Sequence, residues 1–260
     1  MRLLLLVAAA FAAPAAADDR GLDCIDCAPL PEGYTLPPDC LSDGAGVGRF
    51  VALEPPAARV WVGASAEAHA YVAVFESEAK VASWCRVLSA FEELADSGGN
   101  LQPVPDKSGL PYVAVSSFAR PGGCLSLQAD ALVAWLSVSK RWEVIVNRAT
   151  SASRCGEGEG DPNQAAAKVH AEGLAAYRKK DFETAEAKWR ASLPYFESVA
   201  DLGFLLTKRG RYAEAEPLLL DAVSRNQRPA SWLNLADLYW KTGNSKLADK
   251  AYRIYASRPR

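Results

Sequence analysis

Apolar and polar residues alternate in the middle of the chain and recur at helical spacing toward its end, which divides the chain into two parts. In the first part, short alternating or β-branched runs predict strands. These runs are 48–53, 59–62, 70–75, 112–117 and 142–147. Two longer runs with apolar residues at helical spacing predict helices over 78–96 and 130–139. We therefore expect residues 47–155 to form an α+β module, a small antiparallel sheet with both helices on one face.

A four-residue sequence, Tyr-Val-Ala-Val, occurs twice in this module. It occupies 71–74 and 112–115, and a predicted helix follows each copy. Two such strand–helix units resemble the SPOR domain, a βαββαβ module of envelope proteins that binds peptidoglycan. The resemblance implies a glycan-binding function for this part of the chain. The simpler interpretation is that the sequence forms a well-buried strand in both places.

Three similar segments occupy the second part, from residue 164 to 260. Each has a small residue at which two helices can approach closely, and these residues, Gly173, Gly203 and Ala236, lie 30 and 33 residues apart. Each segment continues with a turn, a second small residue and a large apolar residue four positions later. In chain order these positions are Lys180-Asp181, Ala185 and Trp189, then Gly210-Arg211, Ala215 and Leu219, then Gly243-Asn244, Ala248 and Tyr252. The spacing predicts an all-α solenoid of three helical hairpins.

This pattern resembles the tetratricopeptide repeat (TPR) family over a little more than a third of the chain. The first helices of TPR hairpins form a concave surface that binds extended segments or helices of partner proteins. Carried over position by position, the resemblance implies a groove lined by His170, Leu174, Tyr177, Arg178, Phe204, Thr207, Lys208, Leu233, Asp237, Trp240 and Lys241. Leu174 and Phe204 stand where TPR chaperone adaptors have the Lys and Asn that bind a C-terminal carboxylate, so that binding mode is not expected.

Basic residues occupy one place in every hairpin, namely Arg178, Lys208 and Lys241. Beside the aromatic groove residues, such a row suits an acidic peptide with an apolar or aromatic anchor. The alternative explanation is that basic residues near a helix C-terminus offset the helix dipole. The final predicted helix, 245–257, has apolar residues on adjoining faces. We expect it to pack against the first module, a second copy of the chain or a partner.

The beginning of the chain has the pattern of a secretory signal peptide over residues 1–17. A basic start and a short apolar run precede an Ala-x-Ala cleavage site at Ala17. No other run approaches the roughly 18 apolar residues of a membrane span. Residues 18–46 are rich in Pro, Gly and Cys and predict an irregular segment, and the Gly-rich, charged residues 156–163 predict a linker. We therefore expect an exported protein, periplasmic or secreted, without a transmembrane segment.

All six cysteines precede the predicted linker, and they are Cys24, Cys27, Cys40, Cys85, Cys124 and Cys155. An even number of cysteines in an exported chain predicts structural disulfides, whose pairing the sequence leaves open. The spacing of Cys24 and Cys27 also suits a thiol oxidoreductase, although no predicted strand and helix flank the pair. Because the chain has only 2 histidines, we expect no metal site.

The two parts carry opposite net charges. Residues 18–164 have 11 basic and 20 acidic residues, whereas residues 165–260 have 17 and 11. The asymmetry indicates either charged partners or attraction between the two parts.

Motifs with catalytic chemistry are scarce. The Ser137-x-x-Lys140 pair matches the first motif of penicillin-binding proteins, but the third, Lys241-Thr242-Gly243, lies at a predicted helical turn and not on a strand. No serine-hydrolase elbow, zinc-peptidase motif or phosphate-binding loop occurs. The sequence therefore predicts a non-catalytic partner-binding or scaffold protein of a cell envelope. We expect no cofactor and no nucleic-acid partner, and the final helix is a candidate surface for self-association. A peptidoglycan-binding protein and a CxxC thiol oxidoreductase are the alternatives.

Overall fold

The computed structural model describes residues 22–24, 26–40, 46–54, 58–65, 69–76, 83–95, 100–104, 108–119, 125–153, 162–225 and 228–258. Within these ranges ten β-strands precede six α-helices, and one short helix lies among the strands. The predicted signal peptide 1–17, Cys124, Cys155 and most of the predicted linker 156–163 lie outside the described residues. The described chain therefore has a β-rich first part and an α-helical second part.

The strands form two five-stranded sheets. In chain order they are β1 (Asp23–Cys24), β2 (Ala28–Pro29), β3 (Val47–Leu53), β4 (Ala58–Ala64), β5 (Ala70–Phe75), β6 (Trp84–Val87), β7 (Asn100–Val104), β8 (Tyr112–Ala119), β9 (Leu125–Leu136) and β10 (Arg141–Ser153). The first sheet has the order β2-β3-β4-β5-β6 and is antiparallel throughout. The second has the order β1-β7-β8-β9-β10 and is antiparallel except for the β1–β7 pair. All five predicted strands are confirmed.

The two sheets pack against each other around an apolar core. Because successive side chains of a strand point to opposite faces, every second residue of the central strands enters this core. Its buried valines include Val60, Val62, Val72, Val74, Val113, Val115 and Val133. The residues between them are buried as well, since both outer faces of the pair of sheets are covered. The Tyr-Val-Ala-Val sequences are thus central strands that are buried on both sides.

Residues 30–40 cover the outer face of the first sheet. Trp61, Tyr71 and Phe75 are almost fully buried beneath this segment. The Tyr34 ring lies 5.2 Å from the Phe75 ring, measured between centroids. A disulfide between Cys40 and Cys85 ties the end of the segment to the edge strand β6. The predicted irregular segment is therefore a covering layer, with only the two-residue strands β1 and β2 inside its described portion.

The helix predicted over 78–96 is wrong in its central portion. Residues 84–87 form β6, and only a 3₁₀ turn (Ser89–Phe91) followed by α1 (Glu92–Ala95) is helical within the described residues. Leu88, Phe91 and Leu94, which gave the helical spacing, do enter the core between the sheets. Pairing of β6 with β5 and the disulfide at Cys85 outweigh the helical pattern of the preceding residues.

The helix predicted over 130–139 is also wrong. Residues up to Leu136 belong to β9, which pairs with β8 and β10, and a turn follows. From Ala131 to Leu136 both faces of β9 are covered, so its apolar residues do not alternate with polar ones there, and a run of Ala and Leu imitates a buried helix. The first part is thus two packed sheets, not an α+β module, and the strand–helix order that the SPOR resemblance required is not present in the described residues.

Six helices follow the strands and pack as three consecutive hairpins. Hairpin 1 consists of α2 (Pro162–Arg178) and α3 (Phe182–Ala191), hairpin 2 of α4 (Phe196–Lys208) and α5 (Tyr212–Arg225), and hairpin 3 of α6 (Pro229–Lys241) and α7 (Ser245–Ser257). Helix α2 begins one residue before the predicted end of the linker, at a proline, a residue favoured at the first helical position.

The turn inside each hairpin has the same backbone geometry. Lys180, Gly210 and Gly243 all adopt positive φ, at 65°, 75° and 77°. The next amide donates to the carbonyl five residues earlier in all three turns. This pattern is the Schellman arrangement that commonly ends helices. Asp181 and Asn244 then cap the following helices by accepting from backbone amides three residues ahead.

Small residues allow the two helices of a hairpin to approach closely. A Cβ added to Gly173 would lie only 2.6 Å from Trp189 Nε1, and one added to Gly203 only 2.8 Å from Leu219 Cδ2. Trp189 and Leu219 are buried in these contacts. The predicted pairing of a small residue with a large one is confirmed in both hairpins.

Replacing Lys180 by glycine is expected to raise the free energy of unfolding by about 0.5–1 kcal/mol, because a side chain in the left-handed region is strained. Lys180 is exposed, so its side chain loses no packing. Lys179→Gly is the matched control, since Lys179 lacks a positive φ and gains nothing from glycine. Urea unfolding of both variants measures the effect, and equal shifts in the two would contradict it.

Helix α5 docks the helical part onto the outer face of the second sheet. Glu216 on α5 is fully buried and accepts hydrogen bonds from the turn between β9 and β10. Ser137 N donates to Oε1 at 2.7 Å, Ser137 Oγ donates to the same oxygen at 2.6 Å, and Val138 N donates to Oε2 at 2.9 Å. Burial raises the pKa of Glu216. The Glu216 carboxylate thus accepts the hydrogen bonds that water would accept if this turn were exposed.

Two further polar contacts cross this junction. Arg148 on β10 faces Asp221 on α5 at 4.0 Å, and Lys250 on α7 donates to the carbonyl of Gly109 at 2.8 Å. Burial lowers the pKa of Arg148. Arg148 is a basic residue of the acidic first part, and Asp221 is an acidic residue of the basic second part. This contact therefore does not bring the excess charges of the two parts together. The Lys250 contact brings one side chain of the final helix to the first part of the chain.

Candidate functional site

The first helices of the three hairpins, α2, α4 and α6, present a shared surface that we call the first-helix face. Contacts between neighbouring helices join it. They are the Tyr177 and Phe204 rings, with centroids 6.3 Å apart, His170 Nε2 with Asp201 Oδ2, at 3.0 Å, and Lys208 Nζ with Asp237 Oδ2, at 3.4 Å. The face therefore contains predicted groove residues from all three hairpins.

Apolar side chains are most exposed at the α6 end of this face. Trp240 is 66% exposed and Leu233 is 37% exposed. They lie seven residues apart, which places them on one side of the helix two turns apart. Large exposed apolar groups of this kind are the usual anchors of protein–protein contacts. The face is thus best suited to binding at hairpin 3.

Thr207, which the sequence places in the groove, is not accessible. It is 2% exposed, and its hydroxyl donates to the carbonyl of Gly203 at 2.8 Å. The residue lies in the middle helix of the stack, where the neighbouring hairpins leave no space above a small side chain. Thr207 is therefore a packing residue, and its assignment to the groove is wrong.

The predicted row of basic residues carries less free charge than expected. Lys208 and Lys241 both approach Asp237, at 3.4 and 2.9 Å. Lys208 also lies over the Phe204 ring, 5.3 Å from its centroid. Arg178 is exposed and has no ion pair within the described part of the chain. Two ammonium groups thus share one carboxylate, and Arg178 contributes an unshared charge.

His170, Tyr177 and Leu174 are only partly accessible. His170 stacks on Trp189 with ring centroids 6.3 Å apart, and its Nε2 contacts Asp201. Tyr177 packs against Trp189 at 5.7 Å between ring centroids. Leu174 is half-buried against the helical core. These residues connect hairpin 1 to hairpin 2, and only their outer edges contribute to the face.

An ion-pair cluster fixes hairpin 1 against hairpin 2. Glu186 on α3 contacts Arg209 at 3.0 Å and Arg211 at 2.7 Å, both at the turn of hairpin 2. Burial alone would raise the pKa of Glu186, but hydrogen bonds from Arg190 and Arg211 lower it overall. The cluster fixes α3 against the turn between α4 and α5 and so supports the stacking of hairpin 1 on hairpin 2.

The cysteine pair Cys24 and Cys27 forms a disulfide. It connects the short strands β1 and β2, so no helix N-terminus follows it in the described part of the chain. Such a helix is one of the features that lower the thiol pKa in redox CxxC sites. Cys40 and Cys85 form the second disulfide. The described residues contain no group of three or more His, Cys, Asp and Glu able to hold a metal ion.

Sequence reasoning missed Glu216 and the Ser137 turn, which form the junction rather than an exposed site.

None of the helices in the described ranges is long and apolar enough to cross a membrane. Comparison of the chain with protein-family models and with curated proteins gives no match.

Proposed function

We propose that the chain is a non-catalytic partner-binding protein whose three hairpins form a TPR-type solenoid. The observation that carries this proposal is the shared turn geometry at Lys180, Gly210 and Gly243, together with the small-to-large packing of the hairpins. Stacked hairpins of this kind contact mainly their neighbours and leave the surface of the first helices available to ligands. In this proposal the first-helix face holds a segment of another protein.

The proposed segment is acidic and carries an aromatic or large apolar anchor. Trp240 and Leu233 supply the apolar surface for the anchor. Arg178 supplies an unshared positive charge, and Asp237 neutralises only one of the two lysines it contacts. Charge-assisted hydrogen bonds to such groups are stronger than neutral ones.

We further propose that the protein acts outside the cytoplasm, in a periplasm or after secretion. Two disulfides support this, because disulfides persist mainly in oxidising compartments. The signal-peptide pattern of residues 1–17 supports it as well.

Selection from a random peptide library on the immobilised mature protein tests the function. We expect acidic peptides with an aromatic residue to be enriched, and Arg178→Glu to weaken their binding at least about tenfold. Lys246→Glu is the matched control, because Lys246 is an exposed lysine on α7, outside the first-helix face. Fluorescence polarisation with the enriched peptides measures each affinity.

Failure to enrich any sequence would contradict the proposal. Equal binding by wild type, Arg178→Glu and Lys246→Glu would show that the peptides contact some other surface.

A further inference from the structure

Hairpin 3 exposes three apolar side chains, and each of them has an equivalent position in hairpins 1 and 2. They are Leu233 and Trp240 on α6 and Tyr252 on α7, which are 37%, 66% and 36% exposed. The left-handed residues of the three turns set the register between hairpins. In that register these positions correspond to His170, Tyr177 and Trp189 of hairpin 1, and to Ala200, Thr207 and Leu219 of hairpin 2.

In hairpin 1 the corresponding residues form a cluster that α4 covers. The ring of Trp189, which is 1% exposed, contacts those of His170 and Tyr177, with centroids 6.3 and 5.7 Å away. From the α4 segment, Tyr195 lies 5.6 Å from the His170 ring and Phe204 lies 6.3 Å from the Tyr177 ring, between centroids. The element that follows hairpin 1 is therefore an amphipathic helix packed on this cluster.

In hairpin 2 the corresponding positions are covered more completely. Thr207 is 2% exposed and Leu219 is 0% exposed. Helix α6 follows hairpin 2 and contacts both α4 and α5. In hairpins 1 and 2 a helix of the chain itself thus covers these positions, namely α4 over hairpin 1 and α6 over hairpin 2.

We propose that hairpin 3 binds an amphipathic helix of a partner protein, which lies on Leu233, Trp240 and Tyr252 as α4 lies on hairpin 1. This inference rests on the proposed partner-binding function and names the form of the partner. Helix-in-groove recognition of this kind uses apolar side chains along one face of the bound helix.

The contacts of α4 indicate the residues that the partner helix needs. Phe204 packs against Tyr177, and Trp240 is the equivalent of Tyr177 in hairpin 3. An aromatic residue at the place of Phe204 on the partner helix therefore packs on Trp240.

A second copy of the chain fits this surface less well. Its own first helix, α2, is the element that a stacked copy would present. At the positions of Tyr195 and Phe204, α2 has Ala165 and Leu174. It therefore lacks both aromatic groups with which the α4 segment covers hairpin 1, and the expected occupant is a helix of a different protein.

The test uses a fluorescein-labelled, lactam-bridged helical peptide with the sequence of residues 195–209 and the full mature protein. Because isolated short helices are marginal in water, the bridge is needed to keep the probe helical. We expect a dissociation constant below about 100 μM, and at least a tenfold loss for Trp240→Ala. Phe118→Ala is the matched control, since Phe118 is an aromatic residue of β8 that is 46% exposed.

Equal binding by wild type and Trp240→Ala, or no binding by the peptide up to 1 mM (about −4 kcal/mol), overturns the inference. A wild-type dimer that Trp240→Ala converts to monomer in sedimentation identifies a second copy as the occupant and also overturns it. If the helical probe fails while library peptides still require Arg178, the proposed function stands without this inference. If both fail, the function falls as well.

Discussion

Replacing Glu216 by alanine is expected to lower the free energy of unfolding by about 3 kcal/mol. The change removes the acceptor of three hydrogen bonds from Ser137 and Val138 and leaves two backbone amides at a buried turn without a partner. Each unsatisfied buried donor costs about 1–3 kcal/mol. Relief of the buried carboxylate, whose pKa burial raises, offsets part of this loss. Urea unfolding followed by circular dichroism measures the difference.

Two variants separate the hydrogen bonds from the charge. Glu216→Gln keeps one acceptor oxygen but sets an amide NH₂ against one of the donors, so we expect about half of the alanine effect. Glu214→Ala, two residues earlier, removes an exposed carboxylate that pairs with Arg211 and should cost less than about 1 kcal/mol. A loss for Glu216→Ala no larger than that for Glu214→Ala would show that the junction does not depend on this side chain.

The register of the hairpins contains a signal that could have revealed Glu216. In hairpin 1, Glu186 pairs with Arg190 four residues later, and in hairpin 3 Asp249 pairs with Arg253. The corresponding pair in hairpin 2 is Glu216 and Leu220. Glu216 therefore has a buried leucine where the acids of the other hairpins have an arginine, and its carboxylate needs other hydrogen-bond donors. The sequence thus indicates a docked helix, but the turn that supplies the donors is 79 residues away.

Strands were predictable where the chain alternates or is rich in β-branched residues, and not where a strand buried on both faces is made mainly of Ala and Leu. The runs at β3 and β5 have clear β-branched or alternating character, and their predicted bounds agree closely with the structure. From Ala131 to Leu136, β9 lies between the helices and the other sheet, so its pattern carries no period of two there. Which layers cover a strand is decided by the tertiary fold, and no local pattern reports it.

For the first-helix face too, the sequence predicts some features, and others depend on how the helices stack. Spacing alone places Trp240 and Lys241 on the outer side of α6, as the structure has them. It does not show that Lys208 and Lys241 share Asp237, because that contact depends on how α4 and α6 stack. Nor does it show that Thr207 is covered by the next hairpin. Position within the stack, more than residue type, decides which groove positions are free.

Removing the Cys40–Cys85 disulfide by changing both residues to alanine is expected to lower the free energy of unfolding by about 4 kcal/mol. The bond spans 45 residues, and a crosslink of that length greatly restricts the unfolded chain. It also holds residues 30–40 over the outer face of the first sheet, where Trp61 and Phe75 are buried. Guanidinium unfolding of wild type and the double variant under non-reducing conditions measures the loss.

The Cys24–Cys27 disulfide provides the matched control, because it spans only 3 residues. Its removal restricts the unfolded chain far less, so the double alanine variant should lose about 2 kcal/mol less than the Cys40 and Cys85 variant. The two variants also differ in kind, since only loss of the longer bond frees the covering segment and admits protease at residues 30–40. Equal losses for the two, without new cleavage in that segment, would mean that the aromatic contacts of Tyr34 hold the layer and the disulfide does not.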